Sequence, residues 1–163
     1  MAASKSKKGA VVVSACLLGR ECRFDGKDKF TPGLAFILEG RQVIAVCPEE
    51  LGGLGTPRAA CQLSGDGAAV VDGKASVTDT DGRDRTEEFL SGARAALESA
   101  LAGGASEAIL KERSPSCGVT KVYHRDGEPA DGQGVFTALL VRHGIPVVDE
   151  VRALRRRKST RRR

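Results

Sequence analysis

Val11-Val12-Val13-Ser14-Ala15-Cys16 decides the fold: three β-branched residues in a row, then small residues and a thiol. A short unbroken apolar run of this kind reads as a strand buried on both faces, as in a parallel sheet. The same grammar recurs at Val43-Ile44-Ala45-Val46, stopped by Cys47-Pro48, and at Ala108-Ile109-Leu110, followed by Ser114-Pro115-Ser116-Cys117-Gly118. A fourth instance is Ile145-Pro146-Val147-Val148. Helical patterns lie between them. Thr31-Pro32 offers a cap and a first-turn proline ahead of Leu34 to Leu38, with Gly40 as the stop. Phe89, Ala93, Ala96, Leu97, Ala100 and Leu101 recur at helical spacing within residues 84–102, closed by Gly103-Gly104, and a further helix is expected from Gly134 to His143. Such alternation predicts an α/β, Rossmann-like three-layer fold with a mostly parallel sheet of about four core strands and right-handed crossovers. Residues 47–67 read as loop. Asp72-Gly73, between Ala68–Val71 and Lys74–Val77, reads as the turn of a small β-hairpin.

Cys16, Cys47 and Cys117 each lie just past the end of a different expected core strand. In open α/β sheets the ligand crevice lies outside the carboxyl ends of the strands, so these three thiols are expected to converge there. Three thiolates without a local fourth suit a metal centre with one open position. An iron–sulfur cluster held this way leaves one iron free to act as a Lewis acid. Zinc on three cysteines fits the same spacing, and so do three small apolar thiols packed at strand ends. The flanking Ser, Ala, Pro and Gly residues favour a bound inorganic group, because they let backbone approach it closely.

Composition narrows the classes. At 163 residues the chain has the length of one domain, and 40% hydrophobic content is enough for a core. Aromatics are only 4%, with no Trp, so stacking platforms for single-stranded nucleic acid are scarce. No apolar run approaches the roughly 20 residues of a membrane span, and no signal-peptide core is present, so a cytoplasmic location without membrane contact is expected. Five cysteines make an odd count without any C-x-x-C pair, which argues against a disulfide framework or zinc ribbon. The net charge of +5 is uneven. Lys5, Lys7 and Lys8 and the eight cations of residues 152–163 take 11 of the 26 basic residues, leaving 15 against 21 acidic ones. The expected organisation is a basic N-terminal tail over 1–9, one acidic domain over 10–150, and a basic disordered tail over 151–163, with RNA contact through that tail left open. His124 and His143 stand alone in charged surroundings and read as surface residues.

The motifs also carry a resemblance. Val13-Ser14-Ala15-Cys16-Leu17-Leu18-Gly19, Cys22-Arg23-Phe24-Asp25-Gly26 and Val46-Cys47-Pro48-Glu49 come first. Leu51-Gly52-Gly53-Leu54, Thr56-Pro57-Arg58, Gly92-Ala93 and Ile109-Leu110-Lys111 follow, the last leading into the segment Ser114 to Gly118. In these the chain resembles the DUF523 family, whose characterised members are thiouracil desulfidases of the TudS type. The resemblance implies a 4Fe–4S cluster on Cys16, Cys47 and Cys117 and non-redox removal of sulfur from 4-thiouracil or a related thio-base or nucleoside. The open iron would take the thiocarbonyl sulfur, and water activated by Glu49 would add to the ring carbon. Uracil and sulfide would be the products. The alternatives are a non-catalytic cluster- or metal-binding protein, desulfidation of a thiolated base within RNA, and a nucleotide binder whose thiols only pack.

Among individual residues, Glu49 is expected in a partly apolar crevice that favours a general base. Ser116, and Ser114 beside it, are placed to hydrogen-bond a cluster sulfur or the substrate. Arg58 reads as an ion-pair partner, Lys111 as a strand-end cation, and Asp25 as a turn residue. Cys22, six residues beyond Cys16, is the chief rival as a ligand, but it stands in a loop rather than at a strand end and reads instead as packing near the site; Cys61 reads as incidental. Where the family usually shows Pro-Arg-Xaa-Pro-Xaa-Glu, this chain has Pro57-Arg58-Ala59-Ala60-Cys61-Gln62, and the lost charge bears on substrate identity. Oligomeric state is not encoded in any of these motifs.

Overall fold

The computed structural model describes residues 8–124 and 126–160. Four strands form the central sheet: β1 (Ala10–Ser14), β2 (Val43–Val46), β5 (Ala105–Leu110) and β8 (Val147–Asp149). Their order is β2-β1-β5-β8, and every pairing is parallel, as the unbroken apolar runs require. Alternation along β1 divides the core. Val12 joins the layer containing α4 (Thr86–Ala102) and α5 (Val135–Arg142), whereas Val11 and Val13 face α1 (Leu34–Leu38) and α6 (Glu150–Thr160). The α/β three-layer expectation is met.

Three local expectations are corrected. Residues 47–67 are not all loop: α2 (Pro48–Leu51) begins immediately after Cys47, and β3 (Cys61–Leu63) pairs antiparallel with β4 (Val77–Asp79). The expected hairpin over residues 68–77 is instead a helix, α3 (Gly67–Val71). The Asp66 side chain accepts the Ala69 N–H at 2.9 Å, which caps that helix, and Gly73 at φ 73° ends it. The small antiparallel hairpin lies elsewhere, in β6 (Lys121–Tyr123) and β7 (Pro129–Asp131). Finally, residues 151–160 are not disordered. Helix α6 lays Ala153 and Leu154 onto the α1 layer, and Leu154 fills the space beside Gly33. The basic residues Lys5 and Lys7 and the end of the basic tail, 161–163, lie outside the described residues.

Helix α2 is positioned by two glycines. A Cβ on Gly92 of α4 would lie 1.8 Å from the Pro48 carbonyl oxygen, and one on Gly52 would lie 2.0 Å from the Glu88 carbonyl. Both obstacles are backbone, so neither can swing aside. Gly92→Ala gains about 1 kcal/mol of helix propensity but forces overpacking that costs about 1–3 kcal/mol. Because the fixed obstacle is backbone, the expected net effect is a thermal midpoint several degrees lower. Circular dichroism melting checks this, and an unchanged or raised midpoint contradicts it.

Candidate functional site

The carboxyl ends of β1, β2 and β5 open into a cavity of about 710 Å³, within the usual range for a small-molecule site. All five cysteines line it: Cys16, Cys22, Cys47, Cys61 and Cys117. Cys16 sits on a 3₁₀ turn over Ala15–Leu18 that directly continues β1. Cys47 is the residue after β2 and occupies the N-cap position of α2. Cys117 comes from the loop that follows β5. Its turn is stabilised by Ser114, whose hydroxyl accepts the backbone N–H groups of Ser116 and Cys117 at 3.2 and 3.1 Å. That turn rests on α5: the N–H groups of Val135 and Phe136 donate to the carbonyls of Pro115 and Ser116. Gly134 permits the approach, since a Cβ there would lie 2.3 Å from the Ser116 carbonyl.

Four of these thiols, Cys22, Cys47, Cys61 and Cys117, are held in their protonated form by their surroundings. Burial pushes Cys117 up to about 12, with the neighbouring Cys47 and Glu49 charges adding to it against the hydroxyls of Ser14 and Ser114. Burial also pushes Cys61 to about 12. Cys22 rises to about 11, chiefly through its hydrogen bond with the Cys16 thiol. Cys47 is raised by its hydrogen bond with Cys22 and by burial. A soft metal centre is what converts such a group of thiols to thiolates near neutral pH. Five cations line the same walls (Arg23, Lys29, Arg58, Lys111 and Arg113) against the three acids Glu49, Glu112 and Glu150, an excess suited to an anionic donor set. The donor chemistry therefore fits an iron–sulfur group.

Glu49 faces the cavity from α2, two residues beyond Cys47. Its carboxylate is held at both oxygens: Arg58 Nε donates to Oε1 at 3.2 Å and the Ser116 hydroxyl donates to Oε2 at 3.3 Å. The surroundings are thus an ion pair rather than the apolar crevice expected from sequence. Arg58 is itself nearly buried, and it also donates to the carbonyls of Gly55 and Cys22. Lys111 is tied to Glu150 at 3.1 Å, and Glu150 accepts the Glu112 N–H at 2.9 Å, so the first turn of α6 forms part of the cavity wall.

A model of the 2-thiouracil desulfurase family matches residues 11–152. The chain belongs to that family. It is 37% identical over 143 residues to the uncharacterized protein YbbK of Bacillus subtilis (strain 168), which covers 86% of this chain and 95% of that one. Among solved structures it is similar to a 4Fe–4S-dependent thiouracil desulfidase, TudS (DUF523Vcz), at 43% identity and a TM-score of 0.76. That match covers 88% of this chain and 92% of the other.

Against this desulfurase frame, the sequence-derived residues divide. Cys16, Cys47, Cys117 and Glu49 meet at one cavity. Ser116 does not line it. The side chain is 2% exposed and its hydroxyl is turned onto Glu49 at 3.3 Å, while Ser114 faces the cavity. Cys22 and Cys61, read from sequence as packing and incidental, both line the wall, as does Gln62, the departure from the family pattern. Phe24 and Tyr123 line it too. Sequence gave little signal for Tyr123, whose hairpin was not expected. Phe24 is visible in the sequence only as a member of a motif, whereas Cys22 is visible there as a rival ligand.

Glu112 shapes the loop that carries Cys117. Its carboxylate accepts the N–H groups of Val119, Thr120 and Lys121 at 2.8, 3.0 and 3.1 Å, and the Thr120 hydroxyl at 2.8 Å. Burial raises its pKa, but these donors outweigh burial and hold it below the ordinary value of 4.5. A carboxyl depressed in the folded state contributes stability that is complete above its unfolded pKa and is lost as pH falls through its folded one. Glu112→Gln is expected to cost about 1–3 kcal/mol at pH 7, with a smaller penalty in acid. Urea unfolding at pH 7 and below pH 4.5 checks this, and a penalty independent of pH contradicts it.

Proposed function

We propose that this chain is a 4Fe–4S-dependent desulfidase that removes sulfur from a thiolated uracil, giving uracil and sulfide without redox change. Family membership and the likeness to a 4Fe–4S-dependent thiouracil desulfidase support the reaction class. One observation carries the reading on this chain: Cys16, Cys47 and Cys117, from the ends of three adjacent parallel strands, share a cavity with a fixed carboxylate, Glu49. In this reading Cys16, Cys47 and Cys117 hold the cluster. Bound there, it supplies a soft Lewis acid for a thiocarbonyl sulfur and for the departing sulfide.

The remaining work falls to side chains. Glu49 takes a proton from water at a carboxylate oxygen, each of which keeps a lone pair beyond its bond to Arg58 or Ser116. Arg58 and Ser116 fix the carboxylate's direction, which is what makes one water position productive. The water oxygen ends on the ring carbon and both its hydrogens leave with the sulfur as hydrogen sulfide, so no electron donor is needed. Phe24 and Tyr123 are the aromatic residues of the cavity wall, suited to contact with a planar ring. Anaerobic reconstitution, iron and sulfide counting, and sulfide release from 4-thiouracil test the proposal. About four irons and four sulfides per chain are expected, with stoichiometric uracil. Protein that stays colourless and iron-free, or that carries cluster without releasing sulfide, overturns it.

A second reading, desulfidation of a thiolated base within RNA, draws on α6. The helix starts in the cavity wall at Glu150 and Val151 and carries the exposed cations Arg152 and Arg155. Phosphate would meet those cations while the cavity takes one base. Deleting α6 would uncover its packed Ala153 and Leu154, so Arg152→Gln with Arg155→Gln is the cleaner test. A selective loss on thiolated RNA supports the second reading; equal rates on RNA and free base, before and after, dismiss it. No helix among the described residues is long and apolar enough to cross a membrane.

A further inference from the structure

Iron–sulfur clusters are normally held by four thiolates, and Cys16, Cys47 and Cys117 provide three. Cys22 brings a fourth sulfur to the same place. Its side chain is 2% exposed, and its thiol lies within hydrogen-bonding reach of the thiols of both Cys16 and Cys47. Its Sγ is within 4.8 Å of Cys47 Sγ and of a Glu50 carboxylate oxygen. The backbone is pinned on both sides. The Cys22 N–H donates to the Arg20 carbonyl at 2.9 Å, and the Cys22 carbonyl accepts Arg58 Nη2 at 2.8 Å and the Cys47 thiol at 3.7 Å. Cys22 packs within the apolar layer around α1, as a small hydrophobe would, but that packing does not account for its polar neighbours. At the wall of the cavity its thiol also faces two sulfurs and a carboxylate.

Resting on the cluster reading above, we propose that Cys22 is an exchangeable fourth ligand, bound at the otherwise open iron in the absence of substrate and displaced by the thiocarbonyl sulfur. Exchange needs only rotation of the Cys22 side chain about its Cα–Cβ bond, on a backbone that stays held. Cys16 and Cys47 directly continue strands of the central sheet, whereas Cys22 lies in the connection between the 3₁₀ turn and α1. The exchange balances without electrons: the Cys22 thiol gives up its proton when it ligates and regains it when displaced. Its use is protection, because an iron without a protein ligand is the one that oxidants remove. The same competition raises the apparent KM, since only the displaced fraction of the protein is open to substrate.

The experiment compares reconstituted wild type, Cys22→Ala and Cys22→Ser, oxidised anaerobically with ferricyanide in the absence of substrate and followed by EPR. All three are expected to begin with the same iron and sulfide content and the same circular dichroism. Both variants are then expected to develop the signal of a three-iron cluster about 10-fold faster than wild type, with a lower KM for 4-thiouracil. Equal rates of iron loss in the three proteins overturn the proposal. A variant that assembles no cluster overturns it as well, because Cys22 would then be a permanent ligand. Zinc or a single iron bound in place of the cluster in wild type overturns the cluster reading itself, and this inference with it.

Discussion

Cys117→Ser is expected to leave a folded chain that retains well under half the wild-type iron and loses at least about 100-fold in sulfide release. The size of the loss follows from where Cys117 sits. Its thiol is buried and hydrogen-bonded by the hydroxyls of Ser14 and Ser114, and an oxygen at that point is a poor donor for the soft metal the site is built to hold. Cys16 and Cys47 differ, because each has the Cys22 thiol beside it. Serine at either is therefore expected to retain more iron than serine at Cys117. Folding should survive the change, since the introduced hydroxyl meets the same two serine partners that the thiol had. Iron and acid-labile sulfide per chain, measured beside far-ultraviolet circular dichroism, separate loss of cluster from loss of fold. A Cys117→Ser protein with full iron and full activity removes Cys117 from the ligand set and breaks the three-strand arrangement on which the proposed function stands.

That arrangement was legible in the sequence because two independent signals coincide. The β-branched runs fix the strands of a parallel sheet, and each thiol follows one of them, at the end where such sheets bind ligands. The parts that were not legible share a different cause, which is dependence on distant residues. Ala68-Ala69-Val70-Val71 is short and apolar, and such runs do not distinguish strand from helix. The Asp66 cap and the pairing of β3 with β4 decide in favour of helix. Residues 151–160 look like a charged tail because only a few apolar positions interrupt the arginines. Yet Ala153 and Leu154 are enough to dock the helix once the Glu150–Lys111 ion pair anchors its first turn. Cys22 is legible as a rival ligand, but its placement is hidden by its loop: the Arg58 hydrogen bond to its carbonyl, 36 residues away in sequence, helps bring it to the cavity.

Ser116 illustrates a finer limit. Adjacency to Cys117 suggested contact with the reacting groups, but in the tight turn Ser114 to Gly118 alternate side chains diverge. Ser114 looks into the cavity and Ser116 looks back at Glu49. An indirect effect on the reaction is therefore the expected outcome. The two serines should separate experimentally, with Ser116→Ala acting through the direction of the Glu49 carboxylate and Ser114→Ala acting through the Cys117 turn.

Glu49→Gln is expected to lower kcat/KM by about 10²–10⁴ while leaving iron and sulfide content at the wild-type level. The substitution keeps the shape and one acceptor oxygen, so Arg58 Nε retains a partner, although an uncharged one. The amide nitrogen then faces the Ser116 hydroxyl, which can turn to accept instead of donate. What the variant loses is the ability to take a proton, because an amide is not a base near neutral pH. A protein that merely stores or carries a cluster has no use for that ability and would show the same behaviour with either residue. The outcome therefore discriminates between reaction classes as well as between residues. Intact cluster with turnover lost assigns the proton transfer to Glu49. Intact cluster with turnover preserved within about 10-fold moves that step to another group and leaves Glu49 as a partner for Arg58 alone. Arg58→Lys adds the complementary arm: it keeps the charge beside Glu49 but breaks the fork that also grips the carbonyls of Gly55 and Cys22. A smaller loss there than in Glu49→Gln follows if Arg58 acts by aiming the carboxylate, since a misdirected base still removes protons, only less often.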